Sequence, residues 1–414
     1  MLKLAKAGAI VPLIILSEAA SAGGLWLNEY GTPAMGRARA GAAAGVDDAS
    51  AVLHNPASIT RLEKRQSMAT GGIIYNRTDF DVKRGSIANG DKAGSDAGGV
   101  LPTGSGFYVE PNFNDKWSWG LSAGGLAGTG LDYSSDWVGR YQAERVELLT
   151  LAFAGTLAYE VSDKLSIGIS PQIVYGALEV DIAVPDLVTS QPDSSAEIDG
   201  DDMVLGYMLG VMYTISDDTR LGLTYQSEWD FEFDGDLNRA PGANPSAVSI
   251  ETELPLAAFV RLALTHRLND TIGLHATVGW DDWSTLDKVN LSTDNLGASI
   301  AANWDDTYHY AVGIDYRVSP EWVLSTGLAY DTNPVSLDDR NAQLPVDRQM
   351  RYAFGAQYNQ DKPFSMGGQL VYADLGKAGL NGVGDRTGPG LGFEGEFTTN
   401  EAFFLSINAK WILE

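Results

Sequence analysis

The chain contains four histidines and no cysteine, so nucleophilic chemistry would have to be assembled from His54, His266, His275 or His309 with a hydroxyl such as Ser325 or Thr277. None of these residues lies in a nucleophile motif. The neighbouring pairs Asp281-Asp282 and Asp305-Asp306 suit loops or a rim better than an acid/base pair. A glycine-rich phosphate cradle and a metal-ligand spacing are both lacking. These residues point to no catalytic group, no metal site and no cofactor; a lipase with a Ser/His/Asn set on its outer wall is the competing class.

Binding chemistry is better represented. Alternation along the strands described below directs Phe259, Arg261, Arg317, Arg351 and Lys410 to an interior. Arg351, with Lys288 and Arg145, falls toward the outer half, where a captured ligand would arrive first. A buried ligand carboxylate needs a cation or several donors, and Lys288 and Arg351 are the first candidates. The same cations could instead pair with interior acids such as Glu228, Asp281 or Asp315.

The elements that position these groups begin with an export segment. Residues 1–22 carry Lys3 and Lys6, an apolar run from Ala7 to Leu16 and the triplet Ala20-Ser21-Ala22, the layout of a secretory signal peptide. Processing before Gly23 removes two Lys and one Glu, which moves the net charge from −26 to −27. Such acidity argues against a nucleic-acid partner. The 47 glycines, 17 tyrosines and 10 tryptophans fit a chain whose apolar residues are spread by alternation. A soluble secreted all-β protein would share that composition, so position decides.

Position favours a transmembrane barrel. In strand 7, Leu221, Leu223, Tyr225, Trp229, Phe231 and Phe233 share one expected face, with only Ser227 breaking the period of two. Strand 9 sets Ile272, Leu274, Ala276, Val278 and Trp280 against Gly273, His275, Thr277 and Gly279, and strand 11 repeats the pattern from Trp322 to Asp331. One greasy face and one small or polar face is the signature of a lipid-embedded barrel. Short polar turns at residues 114–116, 162–164, 216–218, 269–270, 319–321 and 360–362 alternate with long loops. The loops run near 77–103, 128–146, 182–201, 234–249, 289–304, 332–347 and 376–396. Together these connections require fourteen antiparallel strands with both barrel ends on the periplasmic side.

Residues 23–64 do not read as a strand. Asp47-Asp48 ahead of Ala49 to His54 suggests a capped short helix, which Asn55-Pro56 stops while starting a second turn. A plain helix boundary would look the same. Placed between an export signal and a barrel of residues 65–414, this small-residue segment is expected to be a hatch that plugs the lumen.

The chain resembles the FadL/TodX family of outer-membrane transporters for long-chain fatty acids and other hydrophobic compounds. The resemblance is carried by Leu27-Asn28-Glu29-Tyr30, Gly36-Arg37-Ala38, Asp47-Asp48-Ala49 and Asn55-Pro56-Ala57. It continues through Gly139-Arg140-Tyr141, Leu221 to Tyr225 with Ser227-Glu228, and Gly327 to Asp331 with Pro334-Val335. It covers essentially the whole mature chain. It implies an all-β transmembrane fold, a 14-stranded outer-membrane β-barrel with a small N-terminal hatch containing short helices.

The resemblance also implies a route. Ligand is caught in an outer groove, passes to an interior pocket, and leaves sideways through a gap beside a kinked third strand, by diffusion. Glycines 120, 124, 125 and 128 of strand 3 suit such a kink, and Gly124, Gly125 and Gly128 with Asn55, Pro56 and Ala57 are the expected gating residues. Val184, Pro185, Leu187 and Val188, with Leu237, Pro241 and Val248, would floor the groove. Strand 5 from Ile173 to Val180 has no Lys or Arg, where fatty-acid transporters of the family carry basic residues. A neutral alkane or aromatic is therefore the alternative to a fatty acid.

The expected partners are that hydrophobic ligand, outer-membrane lipid and lipopolysaccharide, with the acidic run from Asp186 to Asp202 solvated or bridged by divalent ions. A monomer in the outer membrane of a Gram-negative bacterium is expected. A passive porin would need an open lumen in place of a plug.

Overall fold

A sheet closed on itself satisfies every backbone group without water, which is what a membrane demands of strands. The computed structural model is such a sheet, described for residues 25–27, 29–85, 96–184, 193–239, 247–293, 296–383 and 392–413. The export segment 1–22 lies outside the described residues, as do Asn28 and, from the expected groove, Pro185, Leu187, Val188 and Pro241.

Fourteen antiparallel strands follow in chain order. They are β1 (Gln66–Arg84), β2 (Val100–Asn114), β3 (Trp117–Gly124 and Gly128–Asp132), β4 (Arg145–Ser162), β5 (Leu165–Val184), β6 (Ser194–Ser216) and β7 (Thr219–Gln226 and Trp229–Arg239). The second half is β8 (Ala247–Leu256 and Phe259–Arg267), β9 (Ile272–Asp281 and Lys288–Thr293), β10 (Leu296–Ala301 and Thr307–Arg317), β11 (Trp322–Asp331), β12 (Gln349–Tyr358), β13 (Phe364–Asp374, with Leu380–Val383 beyond it) and β14 (Phe393–Ile412). β14 returns to β1 along a ladder from Gln66↔Ile412 to Arg84↔Glu394. The barrel is closed, and its strand number matches the count from turns.

The outer belt is greasy: Val312, Leu328, Phe354, Leu405 and Ile407 are exposed, while Ala311, Ala329, Ala353 and Phe404 beside them are buried toward the lumen. Among the described residues no helix is long and apolar enough to cross a membrane; strands do the crossing.

Strand 7 departs from the expected single face. Leu223 is 44% exposed, but Trp229, Phe231 and Phe233 are at most 1% exposed and sit inside the barrel. Ser227 and Glu228 interrupt the strand between Gln226 and Trp229, both of which point inward, so the alternation slips by one residue. Ser227 is held there by Tyr207, whose carbonyl accepts from the Ser227 N–H at 2.9 Å and whose N–H donates to Ser227 Oγ at 2.9 Å. β8 makes the same slip between Leu256 and Phe259, both inward.

Three of the expected loops are largely strand. β5 and β6 run out as a hairpin, so Glu197, Asp199, Asp201 and Asp202 are ladder residues opposite β5, with Asp181↔Glu197 and Glu179↔Asp199. Along it exposed Glu197, Asp199 and Asp201 alternate with partly buried Ile198, Gly200 and Asp202, so the period of two continues past the expected end of the strand.

The hatch fills the lumen with short turns: 3-10 helices at Pro33–Arg37, Ala42–Ala44 and Pro56–Arg61, and one α-helical turn at Ala51–His54. Small residues on both surfaces let it approach the wall closely. A Cβ on Gly222 of β7 would lie 1.8 Å from the Ala43 carbonyl oxygen, so only glycine fits. Above the lumen, Phe80, Tyr133, Trp137, Phe393 and Phe397 form a second core outside the bilayer, with Tyr133 stacked on Trp137 at 4.0 Å. Arg340 ties the loop beneath it by donating to the carbonyls of Val346, Val335 and Gly379.

Candidate functional site

The slips in β7 and β8 build a packed aromatic cluster between hatch and outer core. Trp26 of the hatch meets Trp229 edge-on at 4.6 Å and Phe259 at 5.4 Å, and Phe231 stacks on Phe233 at 5.1 Å. Leu254, Leu256, Trp283 and Trp304 complete one continuous apolar cluster. The polar edges of the tryptophans are satisfied: Trp26 Nε1 donates to the Ala257 carbonyl at 2.9 Å and Trp229 Nε1 to Gln172 Oε1 at 3.2 Å. Gln172 and Gln226 exchange amide hydrogen bonds at 3.0 and 2.7 Å. Phe259 thus lies where alternation directs it. Trp26, Trp229 and Gln172 were not singled out by sequence reasoning; the odd spacing at Ser227 was the one available signal.

Where Trp26 of this cluster bridges to Ala127 the wall is discontinuous. The β2–β3 ladder ends at Ser105↔Gly124, and the outer piece of β3 pairs with β4 from Gly128↔Leu149 to Asp132↔Arg145. Between them Gly125, Leu126 and Ala127 leave the ladder. The start of the hatch is stitched to this break: Leu27 N–H donates to the Leu126 carbonyl and Gly128 N–H to the Leu25 carbonyl, both at 3.0 Å. Thr150 Oγ1 takes the Ala127 N–H at 2.9 Å and donates to the Ala127 carbonyl at 2.7 Å. Gly124 and Gly128 are buried and Gly125 partly so. All three expected glycines therefore lie at the break.

Asn55, Pro56 and Ala57 are also buried, packed against Gly168 of β5 and Gly210 of β6. Asn55 caps the following turn, its Oδ1 accepting from Ala57 N–H at 3.0 Å, with proline at the first helical position. Its Nδ2 donates to the carbonyls of Ala43 at 2.6 Å and Val211 at 3.1 Å. One side chain thus joins two hatch turns to β6. By contrast Asp48 does not cap from outside the helix as expected; its Oδ1 accepts from the Ser50 N–H at 2.9 Å and from the Ser50 hydroxyl.

The interior cations are paired. Arg351 lies 3.0 Å from Glu29 of the hatch and also contacts Asp331 and Gln349, and Arg261 Nη2 donates to Asp281 at 2.7 Å. Arg317 reaches Asp361 near the periplasmic end at 3.0 Å, and Lys410 donates to the Gln360 carbonyl at 2.7 Å. Arg145 sits on the outer rim between Glu147 and Glu179. Lys288 is exposed at the start of the outer piece of β9. Of the two candidate carboxylate partners, only Arg351 is inside.

The histidines are hydrogen-bonded to their surroundings. His266 contacts Thr219 at 2.9 Å, His309 contacts Asp331 at 2.7 Å and His54 contacts Thr32 at 3.3 Å. His275 and Ser325 both meet Asp315, at 3.0 and 2.6 Å. The acid stands between them, where a nucleophile would need the imidazole, and Arg37 of the hatch binds the same carboxylate at 3.1 Å. Among the described residues one group of three carboxylates, Glu179, Asp181 and Glu197, has ligand atoms within 4.8 Å of one another. It lies on the acidic outer ladder between β5 and β6.

Residues 13–411 match the family model described as outer membrane protein transport protein (OMPP1/FadL/TodX). Over 410 residues the chain is 26% identical to a long-chain fatty acid transport protein of Escherichia coli, covering 89% of this chain and 91% of the relative. The fold is similar to the crystal structure of a Pseudomonas aeruginosa FadL homologue, with TM-score 0.85 at 23% identity over 94% of this chain and all of the other (100%). It is also similar to the P. putida toluene transporter TodX, with TM-score 0.70 at 16% identity over 94% and 99% of the two chains.

Proposed function

The chain belongs to the OMPP1/FadL/TodX family, whose members are outer-membrane transporters of hydrophobic compounds and not enzymes, and on that premise we propose that it carries long-chain fatty acids into a Gram-negative cell by diffusion. The observation that carries this reading is the buried aromatic cluster of Trp26, Trp229, Phe231, Phe233 and Phe259, which the Trp26–Ala127 bridge joins to the break in β3. An apolar chain gains from leaving water for such aromatic surroundings, and again from leaving them for the bilayer instead of the periplasm. No energy source is needed for that descent. In this reading the extended β5–β6 and β7–β8 hairpins gather ligand above this cluster, Asn55-Pro56-Ala57 holds the hatch beside the exit, and Gly124, Gly125 and Gly128 keep the exit pliable. Lipid and lipopolysaccharide surround a monomeric barrel.

Neutral hydrocarbon is the second reading, favoured by one observation: Arg351 and Arg261 already hold Glu29, Asp331 and Asp281. A carboxylate arriving there must compete with acids already in place. Quenching of tryptophan emission by oleate and by toluene, with each competed against the other, separates the two. Saturable quenching by oleate that toluene displaces weakly supports the fatty acid; the reverse order transfers the assignment to hydrocarbons. Quenching by neither, in correctly folded protein, refutes both.

A further inference from the structure

We propose that Leu53 of the hatch and Met208 of β6 form a side-chain gate between the small interior cavity under Phe259 and the break in β3, opened by rotation of these two residues while the hatch backbone stays in place. The inference rests on reading the chain as a carrier of hydrophobic molecules, and adds the residues that control passage.

Two small cavities lie on either side of this pair. One, of about 20 Å³, is bounded by Phe259, Arg261, Thr277 and His309 of the wall and by Arg39 and His54 of the hatch. The other, of about 10 Å³, is bounded by Val52, Ser105, Phe107, Ser122, Gly124 and Leu126, at the end of the β2–β3 ladder. Leu53 and Met208 line both cavities and are both buried; they are their shared partition. A single water needs about 10–15 Å³ and a benzene-sized guest about 150 Å³. Neither cavity admits a hydrocarbon until side chains move.

Side chains are the part free to move. The hatch backbone beyond Leu53 is clamped: Asn55 Nδ2 holds the carbonyls of Ala43 and Val211, and Thr60 Oγ1 donates to Ser166 Oγ at 2.8 Å. The wall is moulded to it. A Cβ on Gly210 would lie 2.0 Å from Asn55 Oδ1, and one on Gly168 would lie 2.5 Å from the Pro56 carbonyl carbon. Shifting the hatch would break these contacts together, leaving buried polar groups without partners at about 1–3 kcal/mol each. Turning Met208 breaks no hydrogen bond, and its unbranched thioether has three rotatable bonds with which to clear a path.

The absence of native cysteine makes the hatch easy to lock. Thr60→Cys with Ser166→Cys replaces the two bonded hydroxyls by thiols that oxidation with copper phenanthroline joins. The full-length protein is reconstituted in liposomes loaded with albumin, barrel assembly is checked by heat-modifiable gel mobility, and uptake of radiolabelled oleate and of toluene is timed. The expected result is an equal rate for the oxidised and reduced pair, a several-fold faster rate for Met208→Ala, and a several-fold slower one for Met208→Phe. Leu53→Ala should follow Met208→Ala, which guards against misfolding of one variant. Uptake abolished by oxidation and restored by reductant would overturn the proposal, because the hatch would then have to move. Unchanged rates in Met208→Ala, Met208→Phe and Leu53→Ala would overturn it equally. Failure of the unmodified protein to carry either probe would refute the carrier reading itself, and the gate with it.

Discussion

Arg351 on β12 and Glu29 at the start of the hatch form an ion pair at 3.0 Å, with the arginine side chain 1% and the glutamate side chain 3% exposed. Asp331 on β11 holds the other edge of the same guanidinium. Three charged groups are thus withdrawn from water at a junction between plug and wall, where each is tolerable only because the others are there.

Glu29→Gln should therefore loosen the hatch. Removing one partner of a buried pair costs about 3–5 kcal/mol, so the substitution should speed hydrogen exchange at residues 25–40 while the barrel keeps its gel mobility. Exchange identical to that of the unmodified protein would show that the pair does not anchor the hatch.

Asn55→Ala should act on the same element through hydrogen bonds. Losing an N-cap costs about 1 kcal/mol, and the carbonyls of Ala43 and Val211 lose their donor at about 1–3 kcal/mol each. Limited proteolysis should cut between Ala43 and Arg61 in the variant and not in the parent. An equally resistant variant would remove the clamp assigned to Asn55.

Acid should weaken the hatch through His54. Burial, then the charges of Arg39 and Arg37, hold its pKa well below the ordinary 6.5. The hatch thus keeps this histidine neutral, and the stability of that arrangement is fully present above 6.5. As pH falls through 6.5 the unhinged segment takes up a proton that the docked one refuses, so docking weakens by about 1.4 kcal/mol per pH unit until the docked pKa is reached. Hydrogen exchange of residues 51–61 followed from neutral to mildly acid pH should show this slope, and His54→Gln should flatten it. A slope that survives in His54→Gln would assign the effect elsewhere.

Lys288→Gln should leave oleate binding unchanged, because Lys288 is exposed at the start of the outer piece of β9. A tenfold weaker affinity, about 1.4 kcal/mol, would place the carboxylate at the outer rim.

Replacing Gly124 and Gly125 by alanine should slow uptake without preventing assembly. A Cβ on Gly124 would meet Ser105 Oγ at 2.2 Å, so the bank of the opening would have to shift. Normal uptake by an assembled variant would dissociate these glycines from the exit.

The barrel was legible because its code is local. Alternation in β9 and β11, and polar turns such as 269–270, are set by neighbours along the chain, and they yield strand number and sidedness. Asn55-Pro56 was legible for the same reason, as a helix stop followed by a cap. The outer hairpins were not: the density of acids from Glu197 to Asp202 reads as a solvated loop, and only the ladder to β5 makes these residues strand. Lys288 and Arg351 looked equivalent in sequence, since the choice between rim and interior depends on which partners the closed barrel brings, Asp331 and Glu29 for one and solvent for the other.

The sequence alone determined an exported, plugged, fourteen-stranded barrel and the glycines that weaken β3, because periodicity, turns and caps act over a few residues. Only the tertiary structure decided what the lumen contains. A slip of one residue at Ser227 turned Trp229, Phe231 and Phe233 from lipid to the barrel interior, and closure of the sheet brought Leu53 and Met208 to the same two cavities and Glu29 against Arg351. Those contacts join residues far apart in the chain, and no local pattern encodes them.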